Sequence, residues 1–289
     1  GASVPVVLVT GIDEVLRASL IAGAMLDHPG AVELRYEIDT ETGGLRRLVV
    51  SADAVLEDVV VELDHPCVSC AMREDAIPAL DRWSADPRVG GILLAPPISA
   101  EPAIVAGTIV DAQGRWHLAG AAAVLAAGTA LEDLLGEDTL AERGLQWAAE
   151  DGRGVGEALA AQIEYSDLIV ADGGEGADGD GVAAESAVGS AAAAGLELIE
   201  HLRSAEQRLV TSLHGSQAHT MLGGILDHVA SLRRRDPRFV EAHGGPTACG
   251  TWTMDLHSHR PFPPRRFLEE VELLGVGRMR SRGRFWVPD

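Results

Sequence analysis

The chain has 289 residues, 46% of them hydrophobic, which is enough for one large domain plus a smaller one and excludes a disordered polymer. Its net charge is −21, and all 23 basic residues are Arg; Lys and Asn are absent altogether. No apolar run approaches the roughly 20 residues a spanning helix needs, the N-terminus has no basic region of the signal-peptide kind, and three cysteines cannot all pair, which points to a reducing cytoplasm.

In chain order, V-P-V-V-L-V-T-G (4–11) predicts a buried parallel strand, and D-E-V-L-R-A-S-L-I-A-G-A-M-L (13–26) carries apolar residues at helical spacing. Residues 31–39 and 45–52 predict strands. Residues 73–86 predict a helix with acids in its first turn, where the helix dipole favours them. Residues 89–97 form a further buried strand and 117–127 contain another. L-A-E-R-G-L-Q-W-A-A-E and G-V-G-E-A-L-A-A-Q-I-E-Y are expected to be helical, and S-D-L-I-V-A-D (166–172) a strand. This alternation predicts an α/β fold, a mostly parallel sheet with helices on both faces. The stretch D-G-G-E-G-A-D-G-D-G (172–181) lacks the spacing of a calcium loop and reads as a flexible loop.

The texture changes near residue 200. Residues 1–200 hold 35 acids and 10 arginines, net −25, whereas 201–289 hold 9 acids and 13 arginines, net +4. Two domains with different partners would produce this, as would ordinary variation of a solvated surface. The expected organisation is an α/β domain over 1–205, a helical or irregular linker over 206–246, and the start of an incompletely covered α+β domain over 247–289, read as strand, Pro-rich turn, helix and strand.

Three features carry chemistry. Cys67 and Cys70 form C-x-x-C within D-H-P-C-V-S-C-A-M-R-E-D. Two thiolates supply half of a tetrahedral zinc shell; the same spacing before a helix suits a redox pair, and two inert thiols are the plain alternative. His65 is held back by Pro66, so a distant His, Cys249 or a water would complete a metal shell. Six of ten histidines lie between His214 and His259: His214, His219, His228, His243, His257 and His259; metal ligation and a polar surface both account for them. Arg278, Arg280, Arg282 and Arg284 alternate and would share one face of a strand, with Arg265, Arg266 and Arg233–Arg235 adding charge. Such a face suits RNA backbone contact, and it equally suits a charged edge strand or ion pairing with the acidic body. Phe285 and Trp286 are expected in a core.

Four segments together resemble the CobW-like family of metal-handling P-loop GTPases: P-V-V-L-V-T-G; P-C-V-S-C-A-M-R-E-D-A-I-P-A-L, similar to the family's G-C-x-C-C; A-Q-I-E-Y-S-D-L-I-V-A-D; and S-H-R-P-F-P-P-R-R-F-L-E-E-V-E-L-L-G-V-G-R-M-R-S-R-G-R-F-W-V. The resemblance implies a P-loop-NTPase-like fold and zinc held by Cys67 and Cys70. It breaks at the nucleotide chemistry. A P-loop needs G-x-x-x-x-G-K-[ST], and here T-G-I-D-E-V-L-R follows the strand, with Asp13 and Glu14 where phosphate would approach and Arg17 in place of the nested Lys. The family's guanine-reading N-K-x-D is replaced by Asp172, Gly173 and Glu175, and Ala95 stands where a catalytic acid would be. The expectation is a pseudo-GTPase without catalytic residues or nucleotide. A narrower resemblance, to an actinobacterial branch linked to ribosome hibernation, implies recruitment of a hibernation factor to the small ribosomal subunit under zinc starvation. The alternative is a CobW-like zinc metallochaperone that still binds nucleotide through Arg17 and backbone amides.

Overall fold

The computed structural model describes residues 3–38, 44–62, 68–148, 150–173, 190–213, 217–240, 242–275 and 277–288. The strands are β1 (Val4–Thr10), β2 (Ala31–Ile38), β3 (Leu45–Val50), β4 (Val55–Val61), β5 (Gly91–Ala95), β6 (Trp116–Ala126), β7 (Leu168–Asp172) and β8 (Arg208–Val210). They form one eight-stranded sheet in the order β4-β3-β2-β5-β1-β6-β7-β8. From β2 to β8 every pairing is parallel; β3 and β4 add an antiparallel hairpin at one edge. This is the mostly parallel α/β sheet with helices on both faces expected from the alternation of strands and helices.

The central strands are covered on both sides. In β1, Val6 and Leu8 face one core, with Leu34, Tyr36, Leu94 and Val105, while Val7 and Val9 face the other, with Leu20, Ile21 and Met25 of α1 (Glu14–Asp27). That is why β1 reads as an unbroken apolar run rather than an alternating one. The first face is covered by α2 (Val68–Ala71), a π-helical turn (Met72–Ala76), α3 (Ile77–Ser84) and α4 (Pro102–Asp111). A third cluster joins α5 (Ala130–Leu135), α6 (Val155–Tyr165) and α7 (Ala191–Leu202) to β6 and β7.

Three local expectations are corrected. Residues 140–150 are turns rather than a helix among those described, because Gly144 adopts φ +67 and Leu140 N–H is drawn across to Arg153 O. Within 206–246, read as helix or irregular chain, Arg208–Val210 joins the sheet beside β7 as β8, followed by α8 (Ala218–Leu222) and α9 (His228–Arg235). Residues 250–263 and 277–288 contain no strand; the C-terminal stretch forms only α10 (Pro264–Glu270) and a following 3-10 turn. Phe262, Phe267 and Phe285 pack together with ring centroids 5.0–5.8 Å apart, but Phe285 is 46% and Trp286 66% exposed, so neither is in a core as expected. No helix among the described residues is long and apolar enough to cross a membrane.

Candidate functional site

Three residues, Gly11, Ile12 and Asp13, separate β1 from α1. The Asp13 side chain accepts from Leu16 N–H at 3.0 Å, so a carboxylate already caps the amides that would face a phosphate. Arg17 is 3% exposed and its Nη1 donates to Pro96 O at 2.5 Å, which commits it to the loop after β5. Burial lowers the Arg17 pKa from its ordinary value, with Glu14 and then Glu33 working in the opposite direction. Gly11 has a packing reason to be glycine: an added Cβ would lie 2.5 Å from Val124 O and 2.9 Å from Val124 Cγ1 of β6. The residues present do not fit a nucleotide triphosphate at this turn. At the other two strand ends, Ala95 is fully buried and Asp172 closes β7, while Glu175 lies outside the described residues.

Cys70 is half-buried in α2, at the start of the helix that the acidic segment continues. Cys67, His65 and Pro66 lie outside the described residues. The π turn that follows contains Arg73, Glu74 and Asp75, and such turns displace the face a helix presents. Asp75 accepts from Tyr36 Oη at 2.6 Å and pairs with Arg47, which also pairs with Glu57; Glu57 in turn holds Arg82 at 2.6 Å. Burial, then the Asp75 charge, pushes the Tyr36 phenol far above its ordinary value. Burial opposes the charge on Arg47, but the hydrogen bonds it donates to Asp75 and Glu57 outweigh it and raise its pKa. Asp75, in the turn after Cys70, is therefore held by a cation and a phenol. Cys70 has the thiolate chemistry zinc prefers, yet no group of three His, Cys, Asp or Glu suited to a metal exists among the described residues.

The histidines separate into individual roles. His228 Nδ1 is 2.7 Å from Tyr165 Oη, and His219 sits exposed on α8. His243 stacks on His201, with ring centroids 5.3 Å apart. His201 Nδ1 is 2.6 Å from Thr253 Oγ1, and burial followed by the His243 charge lowers its pKa. His257 is 3.4 Å from Asp255, and neither it nor His259 is on a strand. His214 lies outside the described residues. Cys249 N–H donates to both carboxylate oxygens of Glu197, at 2.9 and 3.0 Å, so the segment carrying Cys249 is tied to α7.

The arginines do not form the expected face. Arg280 and Arg282 both reach Glu164 Oε1, at 3.2 and 2.9 Å, and Arg284 reaches Asp236 at 3.0 Å. With no neighbouring strand to pair with, the segment is held by these ion pairs with the acidic body. Hydrogen bonds from the Arg238 side chain, then its backbone N–H, push the Asp236 carboxyl down to about 2. In the 233–235 run, Arg233 sits over the Phe239 ring and Arg235 pairs with Glu101 at 2.6 Å. Arg234 caps the C-terminus of α6, donating to Glu164 O, Tyr165 O and Ser166 O and to Asp167 Oδ1. The sequence signal for that role is weak: an Arg in a last helical turn resembles a dipole complement to its own helix, and nothing local points to a helix some 70 residues earlier.

No family model matches the chain. Among curated proteins it is similar to Zinc chaperone Rv0106 of Mycobacterium tuberculosis, 28% identical over 302 residues, covering 98% of this chain and 67% of that protein. The uncharacterized protein Mb0109 of Mycobacterium bovis matches with the same identity and coverage. Among solved structures it is similar to the Zn(II)-bound YjiA GTPase of E. coli, at TM-score 0.42 and 14% identity over 94% of this chain and 77% of that one.

Proposed function

We propose that this chain is a zinc-responsive pseudo-GTPase of the CobW-like kind that acts by binding partners rather than by catalysis. The observation that carries the reading is the β1–α1 turn: three residues long, capped by Asp13, with Arg17 turned to Pro96 O and no Lys in the chain to replace it. Zinc would be held by Cys67 and Cys70, and the similarity to a protein named a zinc chaperone over nearly the whole chain supports a metal-handling role. Zinc bound to one conformer shifts the population, and with it the affinity for a partner. The specific partner reading follows the resemblance to the mycobacterial protein Y recruitment factor: under zinc limitation the chain brings a ribosome hibernation factor to the small ribosomal subunit, in the cytoplasm. Of Arg278, Arg280, Arg282 and Arg284, the last three would contact RNA only after leaving their present carboxylates.

A second reading is favoured by one observation, the chaperone name of the relative: a metallochaperone that retains nucleotide binding. Titration with a fluorescent GTP analogue separates the two, with no saturation into the high micromolar range expected for the pseudo-GTPase. Zinc stoichiometry is expected to fall from about one per chain to none in a Cys67→Ser/Cys70→Ser variant. Ribosomal proteins are expected in a pulldown from chelator-treated cells and not from zinc-replete ones; their absence under both conditions sinks the recruitment reading.

A further inference from the structure

Between α4, α6, α9 and the segment 277–288 lies a cleft of about 220 Å³. Four guanidiniums line it from three separate parts of the chain: Arg153 before α6, Arg235 at the end of α9, and Arg280 and Arg282 from the C-terminal segment. None of its lining residues belongs to the β1–α1 turn or to the segment around Cys70.

Three acids line the cleft, Glu101, Glu157 and Glu164, and Glu101 and Glu164 are engaged by its arginines. Asp151 holds Arg153 at 2.7 Å and Glu101 holds Arg235 at 2.6 Å. Glu164, whose side chain is 5% exposed, presents the same oxygen to both Arg280 and Arg282. Two cations therefore converge on one carboxylate oxygen. Arg235 Nε and Arg280 Nε are buried and meet no acceptor among the described residues. A buried donor without an acceptor is costly, and two arginines of one cleft that each carry such a donor mark a missing partner rich in acceptors.

The geometry points to a binding site for the phosphate group of a small phosphorylated ligand. A carboxylate offers two oxygens in one plane, whereas the donors here approach from α9, from the turn before α6 and from the C-terminal segment. A tetrahedral oxyanion offers three or four oxygens in divergent directions and can satisfy all of them, through the bidentate forks guanidinium favours. The ligand enters in competition with Glu164, so Glu164 limits the affinity of the site, and occupancy ties the C-terminal segment to the body.

Isothermal titration of the full chain with pyrophosphate at low ionic strength tests this, with inorganic phosphate and acetate as parallel probes. The expected result is saturable one-to-one binding of pyrophosphate, weaker binding of phosphate, and none of acetate. Arg280→Gln/Arg282→Gln is expected to weaken pyrophosphate binding tenfold or more. Because that variant strands the Glu164 charge, Glu164→Gln provides the independent arm: it releases both arginines from their competitor and is expected to tighten binding severalfold, which a purely structural ion pair would not do. No saturable binding to the native chain, equal binding of acetate, or a Glu164→Gln affinity at or below that of the native chain would each overturn the site.

Discussion

Replacing Arg234 by Met is expected to destabilise the fold by about 3 kcal/mol, read as a shift of the urea midpoint, and to lower the melting temperature by roughly 6–12 °C for a chain of this size. The reason is local. The last carbonyls of α6 have no intrahelical donors, as at every helix C-terminus. Here Arg234 supplies them, reaching Tyr165 O at 2.8 Å and Ser166 O at 3.2 Å, and it also neutralises Asp167 at 3.0 Å. Burial already pushes the Asp167 carboxyl above its ordinary value against the pull of Arg234, so losing the cation leaves that charge worse placed. Gln207 completes the same job, its Nε2 donating to Ile163 O and Ser166 O at 2.6 Å each. Arg234→Lys should recover less than half of the loss, since one ammonium cannot follow the fork across successive carbonyls. A change below about 1 kcal/mol in the Met variant would show that solvent can replace the cap, and would return Arg234 to the list of candidate phosphate contacts on RNA.

The second large effect concerns Gly11. A methyl group there would sit 2.5 Å from Val124 O, a backbone atom of the neighbouring central strand, so Gly11→Ala is expected to cost about 2–3 kcal/mol through a forced shift of β1 against β6. Gly23 is the control within the same helix–strand unit. A Cβ there meets nothing within 4 Å, so Gly23→Ala should stabilise by up to about 1 kcal/mol. Opposite signs in thermal melts of the two variants establish Gly11 as a packing glycine. A neutral Gly11→Ala accompanied by lost binding of a GTP analogue would establish the reverse, that the position still serves phosphate and that the chain is no pseudo-GTPase.

The sequence was most readable where burial is complete. Strands β1, β5 and β7 are covered on both faces, so their apolar runs are continuous and their ends are marked by Gly or Pro, as at Gly11 and Pro96. β4 escaped because it is an edge strand with Val55, Leu56, Val59 and Val60 all 39–61% exposed, which leaves neither an alternating nor a buried pattern to detect. β8 is three residues long and exists only because β7 offers an edge. The loss of the P-loop pattern was legible at once, since the missing Lys and second Gly are facts of composition and order. What replaced it was not: Arg17 bonds to a residue 79 positions away, and Arg280 to one 116 positions away. Spacing rules describe neighbours along a helix or strand, and contacts of this range are set by topology. The alternating arginines show the limit most clearly, because their pattern fits a strand face while Arg280 and Arg282 share Glu164 and Arg284 answers to Asp236.

Chain-wide, the cysteine segment is not mechanically independent of the sheet. Asp75 is gripped by Tyr36 on β2 and Arg47 on β3, Arg47 by Glu57 on β4, and Glu57 by Arg82 back on α3. This closed ring of bonds fastens β2, β3 and β4 and the helix that follows Cys70 into one rigid plate. Any pull on that helix is delivered to the outer rim of the sheet, where β4 presents its open backbone and its exposed valines. The rim and the cysteine segment are a lever and its load, joined by five side chains.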